Sequence, residues 1–270
     1  MVILSDVHLG TFGCRARELW QYLSSIRPKT LVLNGDIVDI WQFRKNYFPK
    51  SHLRVIQRVV EMAAEGTKVH YLTGNHDEAL RKLSGMHAGN MILEDRAIIP
   101  VGNKKVWIFH GDIFDRSIQR AKWLAKLGSF GYDLLIRLNT FTNWISAKLG
   151  GRRYSFSKAI KNGIKSAVDY VNDFEETVAA MAIRQKYDYV ACGHIHQPKI
   201  RPITTKRGTC TYLNSGDWIE NLTALEWDKD AWRLYKYREQ EFQGVVYEEN
   251  TLRTGSLESI FLRITKTKLH

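Results

Sequence analysis

The chain has 270 residues, of which 44% are hydrophobic and 25% charged, close to the average for globular proteins. This composition excludes disordered, collagen-like and low-complexity classes. The 40 Lys and Arg residues against 28 Asp and Glu give a net charge of +12, which favours an acidic partner: nucleic acid, an anionic membrane surface or a phosphate-bearing substrate.

Short apolar runs alternate with stretches of helical spacing over most of the chain, which predicts an α/β fold. The predicted strands of this part are 2–4, 30–33, 68–72, 106–109 and 187–191, and the predicted helices are 15–26, 52–64 and 168–186. The first strand is shorter than the usual length of about 5 to 6 residues, so we expect the natural N-terminus to lie further upstream.

The sequence changes character after residue 193. Four more strands are predicted at 199–204, 209–213, 222–227 and 232–237, separated by the turn-like segments KRG and DKD. This spacing predicts a meander and an antiparallel C-terminal half of the sheet. We therefore expect one domain over 1–238, followed by a weakly ordered polar tail over 239–270.

Five short motifs directly follow predicted strands. They are SDVHLG at 5–10, GDIVD at 35–39, GNHD at 74–77, HGDIFD at 110–115 and GHIH at 193–196. Loops at the carboxyl ends of strands converge on one crevice in open α/β sheets. Each motif alone is compatible with a turn, a helix cap or a structural histidine, but the five together favour a metal site.

The residue types of the five motifs point to particular metals. Imidazole, carboxylate and carboxamide groups without a thiolate suit Mn, Fe or Zn. In a D-x-H or H-x-H segment of extended backbone, alternate side chains lie on one side and reach a common centre. The set has more ligands than one tetrahedral ion needs, which favours two ions bridged by a carboxylate.

The motif order D-x-H, G-D-x-x-D, G-N-H-D, a later His and G-H-x-H resembles that of the calcineurin-like metallophosphoesterases over residues 1–218. The resemblance implies a four-layer αββα sandwich of two mixed sheets flanked by helices. It implies hydrolysis of a phosphoester with the help of two divalent metal ions. Mn is the expected metal, and Fe and Zn are the alternatives. The implied ligands are Asp6, His8 and His196 for one ion and Asn75, His110 and His194 for the other, with Asp36 bridging.

The same resemblance implies catalytic roles near these ligands. His76 would act as an acid or stabilise the transition state, oriented by Asp77. Asn75, His76 and His194 would also contact the substrate. Three further carboxylates, Asp39, Asp112 and Asp115, would hold ligand imidazoles, and the alternative for them is a role as solvated loop acids.

The segment 116–165 carries most of the charge, because it has eleven basic residues against one acid. Its apolar residues Leu134, Leu138, Phe141 and Ile145 recur at helical spacing, which predicts a basic, amphipathic helical lid. One interpretation is a lid that packs on the core with a solvated basic face. The other is a cap that lies at an anionic membrane surface and admits a lipid with a phosphate head.

Within the family, this insertion is similar to that of the UDP-2,3-diacylglucosamine diphosphatases of lipid A synthesis. The similarity implies hydrolysis of UDP-2,3-diacylglucosamine to UMP and 2,3-diacylglucosamine 1-phosphate, with substrate contacts from Ser157, Asn162 and Lys165. His76 stands where that branch has Arg. A broader phosphodiesterase, phosphatase or nuclease acting on nucleotides or DNA is therefore the alternative, and a scaffold without catalytic chemistry is a further one.

Three cysteines without a CxxC motif indicate a reducing compartment. The sequence has neither a signal-peptide pattern nor an apolar run of about 18 residues. We therefore expect a cytoplasmic protein peripherally associated with the inner membrane through the basic cap. No stable nucleic acid partner is expected, because the charge is concentrated in one amphipathic segment.

Overall fold

The structure, a computed structural model, describes residues 1–40, 48–114 and 156–242. Within 156–242, side chains are described only for residue 169 and for residues 171–242. The strands in these ranges form two mixed sheets. They are β1 Val2–Leu4, β2 Thr30–Asn34, β3 Lys68–Leu72, β4 His87–Ala88, β5 Met91–Glu94, β6 Arg96–Val101, β7 Lys104–Phe109, β8 Tyr189–Cys192, β9 Lys199–Thr205, β10 Gly208–Asn214, β11 Thr223–Asp228 and β12 Ala231–Lys236.

The first sheet has seven strands in the order β12-β11-β1-β2-β3-β5-β4. Its centre is parallel: β1, β2, β3 and β5 pair in parallel, with Ile3 opposite Val32 and Val32 opposite His70. The remaining strands β11, β12 and β4 pair antiparallel to their neighbours. The parallel centre places the carboxyl ends of β1, β2 and β3 side by side at one edge of the sheet.

The second sheet has five strands in the order β6-β7-β8-β10-β9. Here β7, β8 and β10 are parallel, while β6 and β9 lie antiparallel at the two edges. The prediction of a wholly antiparallel C-terminal half is therefore wrong for β10, which pairs with β8 in parallel and with β9 antiparallel. The helix that precedes β8 lies in the long connection that the parallel pairing of β7 with β8 requires, and β9 lies in the connection between β8 and β10.

Helices cover the outer face of each sheet. Helices α1 Ala16–Ser25 and α2 Lys50–Ala64 pack on the first sheet, and α3 Phe156–Arg184 packs on the second. The strand residues alternate accordingly: Leu31 and Leu33 of β2 face the helices, whereas Val32 lies in the apolar layer between the sheets. This arrangement confirms the predicted four-layer αββα sandwich.

The structure has three strands that were not predicted and one helix that begins well before its predicted start. Strands β4 to β6 were not predicted, because they are short or, in β6, contain Pro100. Proline is tolerated in β6 because this strand forms the edge of its sheet. Helix α3 begins at Phe156, twelve residues before the predicted start at 168, within the predicted lid; residues 116–155 of the lid lie outside the described residues.

The predicted polar tail begins with ordered structure. Residues Glu239–Phe242 form one 3-10 turn, and the Phe242 ring is buried and stacks on Tyr237 with 5.0 Å between ring centroids. The folded core therefore extends at least to residue 242. The rest of the predicted tail, 243–270, lies outside the described residues.

His52 of α2 predicts a pH dependence of stability. Its side chain is buried, its Nδ1 accepts a hydrogen bond of 2.8 Å from the Gly10 N–H, and burial lowers its pKa to about 4. The unfolded chain binds a proton near pH 6.5, whereas the folded chain does so only near pH 4. The contribution of His52 is therefore complete above about pH 6.5 and is lost as the pH falls towards 4, amounting to about 3 kcal/mol.

The variant His52→Asn keeps an acceptor for Gly10 but does not titrate. Urea unfolding between pH 4 and 7.5 should therefore show a smaller fall in the free energy of unfolding for His52→Asn than for the wild type. The control His87→Asn changes an exposed histidine of β4 and should follow the wild-type curve. Parallel wild-type and His52→Asn curves would contradict this assignment.

Candidate metal centre

The motif residues gather where the two sheets meet. Asp6 and His8 follow β1, Asp36 follows β2 and Asn75 follows β3, all at the same edge of the first sheet. His110 follows β7 directly, and His194 and His196 follow β8 in the second sheet. The His194 N–H donates to Asp6 Oδ2 at 3.0 Å, so the loops of the two sheets are in direct contact.

Asp6, His8 and His196 form the first group, in which one ligand atom of each residue lies within 4.8 Å of the others. His196 Nε2 is 3.0 Å from Asp6 Oδ1. The other ring nitrogen of His196, Nδ1, is 3.7 Å from Asp217 Oδ2. At this distance the contact is electrostatic rather than a hydrogen bond, and the negative charge of Asp217 favours a proton on Nδ1, which leaves Nε2 for a metal ion.

Asp36, His110 and His194 form the second group, with the same 4.8 Å limit between their ligand atoms. His110 Nδ1 donates to the carbonyl oxygen of Asn34 at 2.9 Å, and its Nε2 lies 3.3 Å from Asp36 Oδ2. Because a carbonyl only accepts hydrogen bonds, Nδ1 carries the proton and Nε2 faces the site. Asp36 Oδ2 is also 3.9 Å from His8 Nε2, so this carboxylate lies between the two groups.

The donor atoms fit divalent ions. His8 Nε2 and Asn75 Oδ1 are buried and have no hydrogen-bond partner among the described residues. A buried nitrogen or oxygen without a partner is unfavourable unless another group satisfies it. Imidazole nitrogen and carboxamide oxygen are ligands that Mn, Fe and Zn accept, so the residues present suit such an ion.

The backbone of the ligand residues adopts a rare conformation. Five of them have a positive φ: Asp6 at 53°, His8 at 53°, Asp36 at 53°, His194 at 65° and His196 at 56°. Residues other than glycine seldom adopt this left-handed region. The loops are also tightly packed: a Cβ at Gly193 would lie 2.6 Å from Asp6 Oδ2, so only glycine fits there.

Electrostatics keep the site carboxylates ionised. Burial alone would raise the pKa of Asp6, but the charge of His196 and a hydrogen bond from it outweigh burial and lower this pKa to about 2. The pKa of Asp36 is likewise held well below its usual range by His110, against the effect of burial. Conversely, burial would lower the pKa of His110, but the Asp36 charge outweighs it and raises this pKa to about 10. The buried carboxylates thus attract cations.

His76 lies at the open side of the groups, with a side chain that is 35% exposed. Its Nδ1 is 3.1 Å from Asp39 Oδ2, and its Nε2 is 4.0 Å from Asp36 Oδ2. Asp77 was predicted to orient His76, whereas the carboxylate of Asp39 contacts this ring. The Asp77 carboxylate instead accepts hydrogen bonds from the Gly74 and Ile37 N–H groups and from the Tyr71 hydroxyl, which hold the GNHD turn together.

The other predicted carboxylates have different surroundings. Asp112 forms an ion pair with Arg81 and also acts electrostatically on His110, and Asp39 contacts His76. Asp115 lies outside the described residues. Asp217 was not predicted as a site residue, although it belongs to the NSGDW segment at 214–218, which resembles a loop that closes the site and begins at the last residue of β10. Its position after a strand is the sequence feature from which its place at the centre could have been predicted.

The predicted substrate contacts divide into two sets. Asn75, His76 and His194 lie at the centre described above. Ser157, Asn162 and Lys165 lie in the first three turns of α3, and their side chains are outside the described part of the structure. Among the described residues, no helix is long and apolar enough to cross a membrane.

The fold and the metal centre are those of a known class of proteins. The family model for calcineurin-like phosphoesterases matches residues 1–198, and the chain belongs to this family of metal-dependent hydrolases. It is 24% identical over 246 residues to UDP-2,3-diacylglucosamine hydrolase of Xanthomonas oryzae pv. oryzae, covering 87% of this chain and 98% of the relative. The corresponding hydrolase of Stenotrophomonas maltophilia strain R551-3 is 23% identical, with 86% and 96% covered.

A solved phosphoesterase from E. coli is 14% identical to this chain. The match covers 86% of this chain and 91% of the solved one, with a TM-score of 0.41.

Proposed function

We propose that this protein hydrolyses the diphosphate of UDP-2,3-diacylglucosamine, releasing UMP and 2,3-diacylglucosamine 1-phosphate. The observation that carries the proposal is the match to relatives of this name along nearly their whole length, 98% for the first of them. The geometry of the centre supports it, because the Asp36 carboxylate of the second ligand group also lies 3.9 Å from His8 of the first.

In this proposal the centre holds two Mn²⁺ ions. Asp6, His8 and His196 would hold one ion, Asn75, His110 and His194 would hold the other, and Asp36 would serve both. When bound, the ions supply positive charge against the phosphoryl oxygens and activate water for attack on phosphorus. The ligand residues would hold the positive charge of the ions where the two sheets meet. Asp217 is proposed to orient His196 through the ring nitrogen that faces away from the ion.

His76 is proposed to act on the leaving group. Water attacks the phosphorus atom, the phosphoanhydride bond breaks, and His76 Nε2 donates a proton to the leaving oxygen. Asp39 at Nδ1 holds the ring and stabilises its protonated form, while Nε2 remains on the open side of the centre. Asn75 and His194, together with Ser157, Asn162 and Lys165, are proposed to contact the substrate.

The basic segment 116–165 is proposed to hold the enzyme at the cytoplasmic surface of the inner membrane. Its +10 excess of charge suits an anionic lipid surface, and its apolar stripe suits acyl chains. A lipid substrate would then reach the centre without leaving the membrane interface. No stable nucleic acid partner is proposed.

The test is release of UMP from UDP-2,3-diacylglucosamine presented in vesicles, with Mn²⁺ added. We expect release that is faster from vesicles containing anionic lipid than from neutral ones, and that high salt reduces this difference. Absence of UMP release together with rapid cleavage of bis(p-nitrophenyl) phosphate would overturn the substrate assignment. Equal rates on both vesicle types would overturn the membrane assignment.

A broader phosphodiesterase, phosphatase or nuclease is the second candidate. The observation that favours it is His76, which replaces the Arg of the UDP-2,3-diacylglucosamine branch and offers an acid for many leaving groups. Preferential cleavage of plasmid DNA or of the bis(p-nitrophenyl) ester would support this candidate.

A further inference from the structure

We infer that Arg81 is a positioning residue that fixes the distance between the two loops holding the ion at Asn75 and His110. This inference rests on the two-ion centre proposed above. Arg81 lies in the 3-10 turn Glu78–Leu83, directly after the GNHD motif. Its side chain is 29% exposed and makes several polar contacts at once.

The guanidinium group of Arg81 binds residues from two different loops. Its Nε donates to Thr73 Oγ1 at 3.2 Å, and one terminal nitrogen donates to the Asp112 carboxylate. Its Nε also lies 3.9 Å from Asp95 Oδ1, which in turn accepts a 2.8 Å hydrogen bond from the Thr73 hydroxyl. Arg81, Thr73, Asp95 and Asp112 therefore form one connected network, which we call the Arg81 network.

The positions of these partners give the network its role. Thr73 precedes Asn75 by two residues in the loop after β3, which belongs to the first sheet. Asp112 follows His110 by two residues in the loop after β7, which belongs to the second sheet. Asp95 is the single residue between β5 and β6, where the chain passes from one sheet to the other.

One ion held by Asn75 and His110 requires that the two sheets keep a fixed separation at this edge. Ligand atoms must stay within a few tenths of an ångström of their positions, because metal affinity depends steeply on geometry. A guanidinium group suits this task, since its planar, rigid set of donors binds two acceptors in fixed directions. Lysine has a single flexible ammonium group and lacks this geometry.

The contacts of Arg81 differ from those of an ordinary surface ion pair. The Asp112 side chain is only 9% exposed, so its charge depends on Arg81 for compensation. Burial alone would lower the pKa of Arg81, but Asp112 outweighs burial and raises it, so the guanidinium stays charged. The first ligand group has its own support in Asp217, and the described contacts of Arg81 do not include Asp6, His8 or His196.

The inference predicts that Arg81 affects one of the two ions. Calorimetric titration of metal-free protein with Mn²⁺ should show two ions in the wild type. In Arg81→Gln one ion should bind with wild-type affinity and the other about 10- to 100-fold more weakly. Arg81→Lys should show the same selective loss, because it retains charge without the planar group.

Two further variants identify the affected ion and the cause. In a His110→Ala background, Arg81→Gln should cause no additional loss, since both changes act on the same ion. The control Arg58→Gln removes a buried arginine of α2, which pairs at 3.1 Å with Glu65 at the end of that helix and has no described contact with the Arg81 network. It should bind both ions with wild-type affinity even if its melting temperature falls.

Wild-type affinity for both ions in Arg81→Gln, or an equal weakening of both, would overturn the inference. The same selective loss in Arg58→Gln would overturn it too, because the effect would then follow stability rather than position. A wild-type protein that binds fewer than two ions would overturn the two-ion centre and this inference with it. UMP release is measured separately from metal binding. Absence of UMP release would overturn the substrate assignment only, whereas the metal titrations test the inference about Arg81.

Discussion

Replacing Asp36 with Asn should lower the turnover of the enzyme by at least about 1000-fold, corresponding to about 4 kcal/mol of transition-state stabilisation. Asp36 Oδ2 lies 3.3 Å from His110 Nε2 and 3.9 Å from His8 Nε2, so its charge serves both ligand groups. Asparagine keeps the shape but removes the negative charge. We therefore expect the variant to lose affinity for both ions.

Metal content after dialysis against a fixed concentration of Mn²⁺ measures the first effect, and UMP release measures the second. Asp173→Asn is the matched control, because it removes an exposed carboxylate of α3 and should leave both quantities unchanged. Two ions bound to Asp36→Asn with wild-type affinity would show that Asp36 does not bridge them.

Replacing His76 with Ala should lower the turnover by about 100- to 10 000-fold while both ions remain bound. The reason is that His76 acts on the leaving group from the open side of the centre, where its Nε2 is 4.0 Å from Asp36 Oδ2. Retained metal content separates this variant from Asp36→Asn. Loss of an ion together with activity would instead make His76 a metal ligand.

Asp39 and Asp77 are distinguished by a double variant of Asp39 with His76 and by the stability of an Asp77 variant. Asp39→Asn should lower turnover, and the double variant with His76→Ala should be no slower than His76→Ala alone, because Asp39 acts through His76. Asp77→Asn should lower the melting temperature, since Asp77 binds the Gly74 and Ile37 N–H groups that shape the turn. A double variant with Asp39→Asn that is much slower than His76→Ala would contradict the orienting role.

The strands that carry the ligand loops could be predicted because their apolar runs are short and end at the motifs. The contact between Asp39 and His76 could not be predicted from spacing, and the reason is physical. Asp77 is adjacent in sequence, but adjacent side chains of a turn point in different directions, and the side chain of Asp77 points into the turn. Asp39 reaches His76 from the loop after β2, and only the pairing of β2 with β3 brings the two loops together.

The contacts between the sheets could not be predicted from spacing. Asp112 lies two residues after His110, which suggests support of that histidine, yet it binds Arg81 from the other sheet. This pairing depends on the distance between the two sheets, and no local sequence pattern determines that distance. The same limit applies to β6, whose Pro100 argues against a strand until its edge position is known.

The left-handed backbone conformation at five ligand residues lowers the thermodynamic stability of the protein. Asp and His at such positions are less favourable than glycine by about 1 kcal/mol each, or roughly 5 kcal/mol in sum, a large part of the stability of a typical domain. A protein that used this fold only as a binding scaffold would gain stability by placing glycine at Asp6, His8, Asp36, His194 and His196. The strain therefore indicates that these five residues are kept for a function of the site rather than for stability, and it marks them as the positions where stabilising substitutions would abolish metal binding and activity.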